Sequence, residues 1–354
     1  MNYYIVCPAK IQSGGPELAH QMCCELNKLG KNAYMYYAES NRLEPVDVDA
    51  PQKYLKYKTT HVTDIREVEN GDNIVIVPEA ATAWISGIKN CKKALWWMSV
   101  DNYIHNTKEK DLPQIREYVD IHLVQSKYAY EYVKNTVGVS EDKIMYVSDY
   151  IGEKYLLDIP EVKRMNIALY NPKKGLERIK PVIENTSDFL KWIPLINLSE
   201  KDMIAYMHIS KINLGSQYKI NLYTHNATPE LEKINNVGAI DYYDTMPYIF
   251  RNSRINLNIT MRSIKSGIPL RGMDICAAGG FLLSNYQEDM YDIFVPGEDV
   301  VLYESQDDLL AKCRYYLTHE AERQQIAANG YGKVAEKCSY DVRLEEMFAE
   351  VFNQ

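Results

Sequence analysis

The residues best placed to do chemistry fall in one stretch, Ser263-Ile-Lys-Ser-Gly-Ile-Pro-Leu-Arg-Gly-Met-Asp-Ile-Cys-Ala-Ala-Gly-Gly-Phe-Leu-Leu283. Its composition reads as a loop that delivers Lys265, Ser266, Gly267 and Arg271 to a helix start. The first N–H groups of a helix have no partner within the helix, so its start attracts anions. Lys265 and Arg271 strengthen that attraction for phosphate. Asp274, about one turn into the helix, is placed to accept hydrogen bonds from a ribose. Gly279-Gly280 ends the helix, and Phe281-Leu-Leu283 starts a buried strand. The set suits a nucleotide diphosphate.

Further cations and glycines follow predicted strands. Lys173-Lys174-Gly175 comes after a strand over 166–170, and two lysines there can neutralise a diphosphate or simply line a solvated loop. Ser13-Gly14-Gly15 comes after a first strand, Tyr3 to Cys7, and opens a helix marked by Leu18, Met22, Leu26 and Leu29. Glycines at that place let a ligand approach backbone N–H groups, or make a plain tight turn. Arg262 adds one more cation to the second half.

The elements that carry these residues alternate. Strands are expected at 73–77, 94–98, 122–125 and 142–148, then at 166–170, 192–196, 219–223, 239–242, 255–259 and 281–284. Helices lie between them and over 307–317, 320–335 and 341–352. Strand–helix alternation predicts parallel sheets covered on both faces. The 354 residues suit two such domains, 1–155 and 156–354, with the hinge between Tyr150 and Lys163 and the last helix expected to pack back on the first domain. Ligands of such sheets sit at the carboxyl ends of the strands.

Bulk properties exclude several classes. Hydrophobic residues make up 46% of the chain and charged residues 25%, enough for full cores and against disorder. A net charge of −8 argues against nucleic acid as main partner. Seven cysteines, mostly in apolar or helical contexts and without zinc spacing, point to reduced thiols and a cytoplasmic location. No apolar run reaches a bilayer span. The chain has 29 Tyr against 6 Phe, which fits Tyr-rich cores better than a wall of sugar-binding rings. Lys89, Lys92, Lys93 and Trp96-Trp97 could touch anionic lipid as a peripheral membrane contact, but a buried strand with a solvated lysine face explains them better. Asp47-Val48-Asp49, flanked by Pro45 and Pro51, is expected to be a surface loop and not a metal site.

The chain resembles two groups of glycosyltransferases. Residues 1 to about 200 are similar to bacterial capsular-polysaccharide glycosyltransferases through Ser13-Gly-Gly-Pro-Glu17, Val77-Pro-Glu79, Trp96-Trp-Met-Ser-Val-Asp-Asn-Tyr103, Val124-Gln-Ser-Lys-Tyr128 and Tyr170-Asn-Pro-Lys-Lys-Gly175. From about 218 onward the chain looks like the spore-maturation type. That match rests on Leu222-Tyr-Thr224, Arg254-Ile-Asn-Leu-Asn-Ile-Thr260, Ser266-Gly-Ile-Pro-Leu-Arg271, Ala278-Gly-Gly280, Tyr303-Glu-Ser305 and Asn329-Gly330. Both resemblances imply the GT-B fold, two Rossmann-like domains facing a cleft, and a nucleotide-diphosphate sugar as donor substrate with no bound cofactor. The expected acceptor is a glycan or a lipid-linked cell-surface molecule. The chain departs from both patterns. A His-Pro-Gly-Lys-Asp-Arg-type segment common in the capsular group is absent. Of the two glutamates eight positions apart in the family-4 donor motif, Asp274 replaces the second and the first falls near Ser266. This layout leans towards retention of anomeric configuration.

For an inverting reaction a general base is required. Asp101, expected at a strand end, is the first candidate and Glu79 the second. His20, on a helix beside inward-facing Leu18 and Met22, reads as structural or exposed. In a retaining reaction the catalytic burden falls on cations that stabilise the leaving diphosphate, Lys174 and Arg271 foremost. Two other classes share the expected fold. A nucleotide-sugar epimerase would need paired acid/base groups on both faces of the sugar, which the second half does not display. A non-catalytic nucleotide-sugar-binding component of a polysaccharide assembly complex is the third reading.

Overall fold

The computed structural model describes residues 1–39, 44–147, 164–170, 220–223, 235–236, 245–258 and 266–338, with 342, 344 and 345. The chain divides into two compact units, Met1–Ser148 with Tyr340–Gln354, and Asp149–Ser339.

The first unit is one parallel sheet of six strands: β1 (Asn2–Pro8), β2 (Asn32–Ala38), β3 (Ile74–Pro78), β4 (Lys92–Trp97), β5 (Ile121–Val124) and β6 (Ile144–Tyr146). Their order is β2-β1-β3-β4-β5-β6. The helices are α1 (Gly14–Lys28), α2 (Val100–Thr107), α3 (Leu112–Tyr118) and α4 (Lys127–Tyr132). Alternate side chains of each strand enter different cores. Tyr4, Val6, Val75, Val77, Leu95 and Trp97 pack with Val100, Tyr103, Ile115 and Tyr132 of the helices. Their neighbours Tyr3, Ile5, Ile74, Ile76, Ala94 and Trp96 are just as buried. Burial on both faces explains the unbroken apolar runs Ile74–Pro78 and Ala94–Trp97. Many tyrosines are core residues: Tyr3, Tyr36, Tyr37, Tyr54 and Tyr103 are fully buried, while Tyr118 and Tyr146 are exposed.

Three readings need correction here. The sequence reading passed over β2, an outer strand that pairs with β1 from Asn2↔Asn32 to Pro8↔Ala38. Asp101 does not end a strand; β4 stops at Trp97, and Asp101 lies in the first turn of α2. Ser99 caps that helix by accepting from the Asn102 N–H. Lys92 is exposed, but Lys93 is buried, its ammonium on the Cys91 carbonyl, so the lysine face is solvated only in part.

The second unit is again a six-stranded parallel sheet: β7 (Met165–Tyr170), β8 (Ile220–Tyr223), β9 (Asn235–Asn236), β10 (Ser253–Asn258), β11 (Leu282–Asn285) and β12 (Val301–Tyr303), in the order β12-β11-β10-β7-β8-β9. Helices α5 (Met246–Asn252), α6 (Leu270–Ala277), α7 (Gln306–Thr318) and α8 (Glu320–Lys337) accompany it. One core joins Met246 and Phe250 of α5, Met273, Ile275 and Cys276 of α6, Leu282 and Val300, and Val334 of α8. The strands expected at 192–196 and 239–242 lie outside the described residues, as does most of the helix expected at 341–352. Leu344, within that stretch, is buried. All seven cysteines are free thiols. Among the described residues, no helix is long and apolar enough to cross a membrane.

Gly330 shows how closely α8 packs. A Cβ there would lie 2.5 Å from the Asp299 carbonyl oxygen and 3.5 Å from Cys276 Sγ. Backbone cannot retreat as a side-chain tip can. Gly330→Ala should therefore destabilise the second unit by about 2 kcal/mol or more. Urea denaturation checks this, with exposed-helix Gly332→Ala, which meets no atom within 4 Å and should stabilise by about 0.5–1 kcal/mol, as the comparison.

Candidate functional site

Each sheet reverses its strand order once. In the first unit β2 lies on one side of β1 and β3 on the other, so the switch falls between the carboxyl ends of β1 and β3. In the second unit it falls between β7 and β10. Open parallel sheets bind ligands at such points.

At the first switch the chain leaves β1 and enters α1 at Gly14-Gly15. Ser13 is extended, and its hydroxyl does not cap the helix. Instead Tyr54 holds the turn: its hydroxyl accepts from the Ser13 N–H at 2.9 Å and donates to the Ser13 carbonyl at 3.0 Å. Glu17, buried in the first turns of α1, pairs with Lys53 at 2.7 Å and Lys56 at 3.2 Å and accepts from Tyr57 at 2.8 Å. Residues 52–57 thus brace the helix start. A Cβ on Gly14 would meet nothing within 4 Å, so open space, not backbone strain, is the local property of that glycine. His20 is fully buried between Thr59 and Tyr37 and stacks on Tyr54, and burial pushes its imidazole down to about 4. It is structural.

Glu79 follows β3 directly and is buried. Its Oε2 accepts from the Met98 N–H at 3.1 Å and its Oε1 from Asn102 Nδ2 at 3.2 Å. Met98 also lies against Gly15, Sδ 3.8 Å from where a Cβ would be. The three sequence motifs around Gly15, Glu79 and Met98–Asn102 therefore meet at one place. Desolvation raises the Glu79 carboxyl from its ordinary value near 4.5 to about 7, against the lowering effect of its hydrogen bonds. Asp101, one residue from Asn102, accepts from the Tyr128 hydroxyl at 3.1 Å. Asp47 and Asp49 lie in irregular chain, with Asp47 bonded to His61 at 2.9 Å. Among the described residues, no group of three or more His, Cys, Asp or Glu is arranged to hold a metal ion.

At the second switch β10 ends at Asn258, and α6 begins at Leu270 after Ser266, Gly267 and Pro269. Gly267 has φ +106, a backbone that favours glycine. Arg271 is in the first turn of α6 and reaches back to β10, its Nη1 donating to Asn258 Oδ1 at 3.4 Å. Asp274, one turn further on the same helix face, is buried. The helix closes at Gly279, φ +69. The structure thus brings Arg271 and Asp274 together on one helix end. Lys173, Lys174, Arg262 and Lys265 lie outside the described residues. Gly14 and Gly15 belong to the first unit. The sequence reading missed Asn258 and its partner Ser284. Their signal was visible as polar residues, Asn256, Asn258 and Ser284, inside otherwise apolar strands.

Residues 210–349 match a family model described as glycosyl transferase-like. No curated protein matches the chain by sequence. Among solved structures, a glycosyltransferase from Rickettsia africae superimposes with a TM-score of 0.68 at 12% identity, over 100% of this chain and 99% of that one. HepE from Anabaena, solved in complex with UDP, gives 0.67 at 8% identity over 99% and 100%. A sucrose-phosphate synthase from Thermosynechococcus elongatus gives 0.65 at 12% identity over 99% of each chain. The fold is GT-B, and most of the residues that match the family model lie in the second unit.

Glu79 makes a test of the first site independent of any substrate. Its raised folded value means that the folded state holds the proton more tightly than the unfolded chain. The resulting penalty is absent below about 4.5, grows up to about 7 and is constant above. Glu79→Gln should leave stability near wild type at pH 4.5 and raise it by on the order of 2 kcal/mol at pH 8. Thermal melts across this range check it; a gain that does not depend on pH would contradict the assignment.

Proposed function

We propose that this protein is a glycosyltransferase that moves a sugar from a nucleotide-diphosphate sugar to a glycan or lipid-linked cell-surface acceptor. The observation that carries this reading is Arg271 and Asp274 on one helix end behind β10, at the switch point of a glycosyl transferase-like domain. In such a transfer the anomeric C–O bond to the diphosphate breaks as the acceptor oxygen bonds to the same carbon. Negative charge grows on the leaving phosphate. Arg271 is built to meet it, with two parallel donors in a fixed plane. The sequence assigns the same task to Lys174, Lys265 and Arg262, and these cations would make the reaction independent of a metal. Asp274 takes the ribose, and Ser266 and Gly267 the phosphate from the backbone side. UDP is the first nucleotide to try, since the Anabaena neighbour was solved with it.

The acceptor's proton needs a destination. Asp101 and Glu79 both lie beyond the carboxyl edge of the first sheet, and Asn102, next to Asp101 in the chain, donates to Glu79. Glu79 has the proton affinity suited to neutral pH, while Asp101 is oriented by Tyr128. In an inverting enzyme one of them takes the proton; in a retaining one the leaving phosphate does, and both act only in holding the acceptor.

Arg271→Ala should weaken nucleoside diphosphate binding roughly 10- to 100-fold in calorimetry, the loss of a charge-assisted contact. Unchanged affinity in a folded variant contradicts the donor site. Transfer should persist in excess chelator. Asp101→Asn and Glu79→Gln should both keep donor affinity. The one that abolishes transfer, with an inverted anomer seen by NMR, is the base. A retained anomer with near-normal rates in both variants assigns the proton to the phosphate.

A further inference from the structure

Two buried asparagines on β10 are used differently. Asn256 donates to the backbone carbonyls of Phe250 and Phe281, which ties the strand to its surroundings. Asn258 is also buried, 1% exposed, but its amide is committed at both ends to side chains. Nδ2 donates to Ser284 Oγ at 2.9 Å, across the β10–β11 pair in which the two residues are in register. Oδ1 accepts from Arg271 Nη1 at 3.4 Å. The Asn258 carbonyl accepts from the buried Tyr303 hydroxyl on β12, also at 3.4 Å. Three adjacent strands therefore converge on the residue that holds Arg271.

The network has a direction. Ser284 Oγ donates to the Asn285 carbonyl at 3.2 Å. A hydroxyl has one proton, so Ser284 meets Asn258 as an acceptor. The amide must turn its NH2 towards the serine, and its oxygen is left facing the guanidinium. An amide oxygen orients a cation without cancelling its charge. A carboxylate in the same place would neutralise the cation before phosphate arrived.

We propose that Asn258, aligned by Ser284, is the positioning residue that presents Arg271 to the donor diphosphate. This rests on the donor-site reading above. It predicts an effect on the diphosphate and none on the nucleoside, and an effect that passes entirely through Arg271.

A double-mutant cycle tests both points. Whichever of UDP, GDP and ADP binds best is titrated by calorimetry, with its nucleoside as control. Asn258→Ala should weaken the nucleoside diphosphate about 5- to 10-fold and leave the nucleoside unchanged. In an Arg271→Ala background the same change should have less than about a twofold effect, because coupled residues are not additive. Ser284→Ala should follow the same pattern with about a two- to threefold effect. Asn258→Asp should weaken the diphosphate despite keeping an acceptor, since it neutralises the cation. Equal losses in both backgrounds, or equal losses for nucleoside and diphosphate, overturn the proposal. If Asn258→Ala fails to fold, the Ser284→Ala cycle, which removes a single hydroxyl, decides it. Failure of the wild-type protein to bind any of the three diphosphates overturns the donor reading and this one together; a strong Arg271→Ala effect with additive Asn258→Ala overturns this one alone.

Discussion

A parallel sheet buried on both faces confines its polar chemistry to the ends of its strands. Both sheets of this chain follow that constraint, apart from a few buried and hydrogen-bonded polar groups such as His122 and Asn256. Their faces are filled by Tyr, Trp, Ile, Val and Leu, and interior charge is scarce there. Polar groups gather where strands stop: Ser13 and Glu79 in the first unit, Asn258 and Ser284 in the second. The helix that follows each switch strand then offers its N-terminal end to the same place. Position in the fold, rather than any single motif, makes these residues candidates for function.

The two edges differ in charge. The first holds a buried carboxyl whose ionisation is resisted by desolvation and helped only by neutral donors, the Asn102 amide and the backbone N–H groups of Met98 and Glu79 itself. The second holds a guanidinium steadied by a neutral amide. Such an arrangement keeps a proton acceptor available near neutral pH in one unit and a guanidinium oriented by an amide oxygen in the other. It suits a reaction in which a hydroxyl loses a proton and a diphosphate gains charge. The buried Glu17 cluster has a different logic. Two lysines pair with the carboxylate there, next to the turn that presents Gly14-Gly15.

Much of this was legible in the chain. Aliphatic runs such as Ile74-Val-Ile-Val77 and the periodic apolar positions of α1 mark buried elements clearly. Strand β2 was overlooked because Asn32-Ala-Tyr-Met-Tyr-Tyr-Ala38 has no aliphatic run, and only its pairing with β1 gives those tyrosines a core to fill. Asp101 was misplaced because Ser99 was not recognised as a helix cap; the hydroxyl bond to Asn102 shifts Asp101 from a strand end into a helix turn. Local pattern carried Arg271 and Asp274, since helix starts announce themselves. Asn258 depended on register between β10 and β11, and Glu79's neighbours on a contact from residue 79 to residue 98. Neither pairing can be read from spacing along the chain.

The central claim is that this chain cleaves a donor between the anomeric carbon and the diphosphate. Phosphorus NMR of the protein with a panel of nucleotide-diphosphate sugars and candidate glycan acceptors tests it most directly. The account predicts acceptor-dependent appearance of nucleoside diphosphate signals as one donor's signals fade, with the sugar recovered on the acceptor. Donor signals that persist unchanged, a sugar altered while still attached to its nucleotide, or release of a nucleoside monophosphate would contradict it.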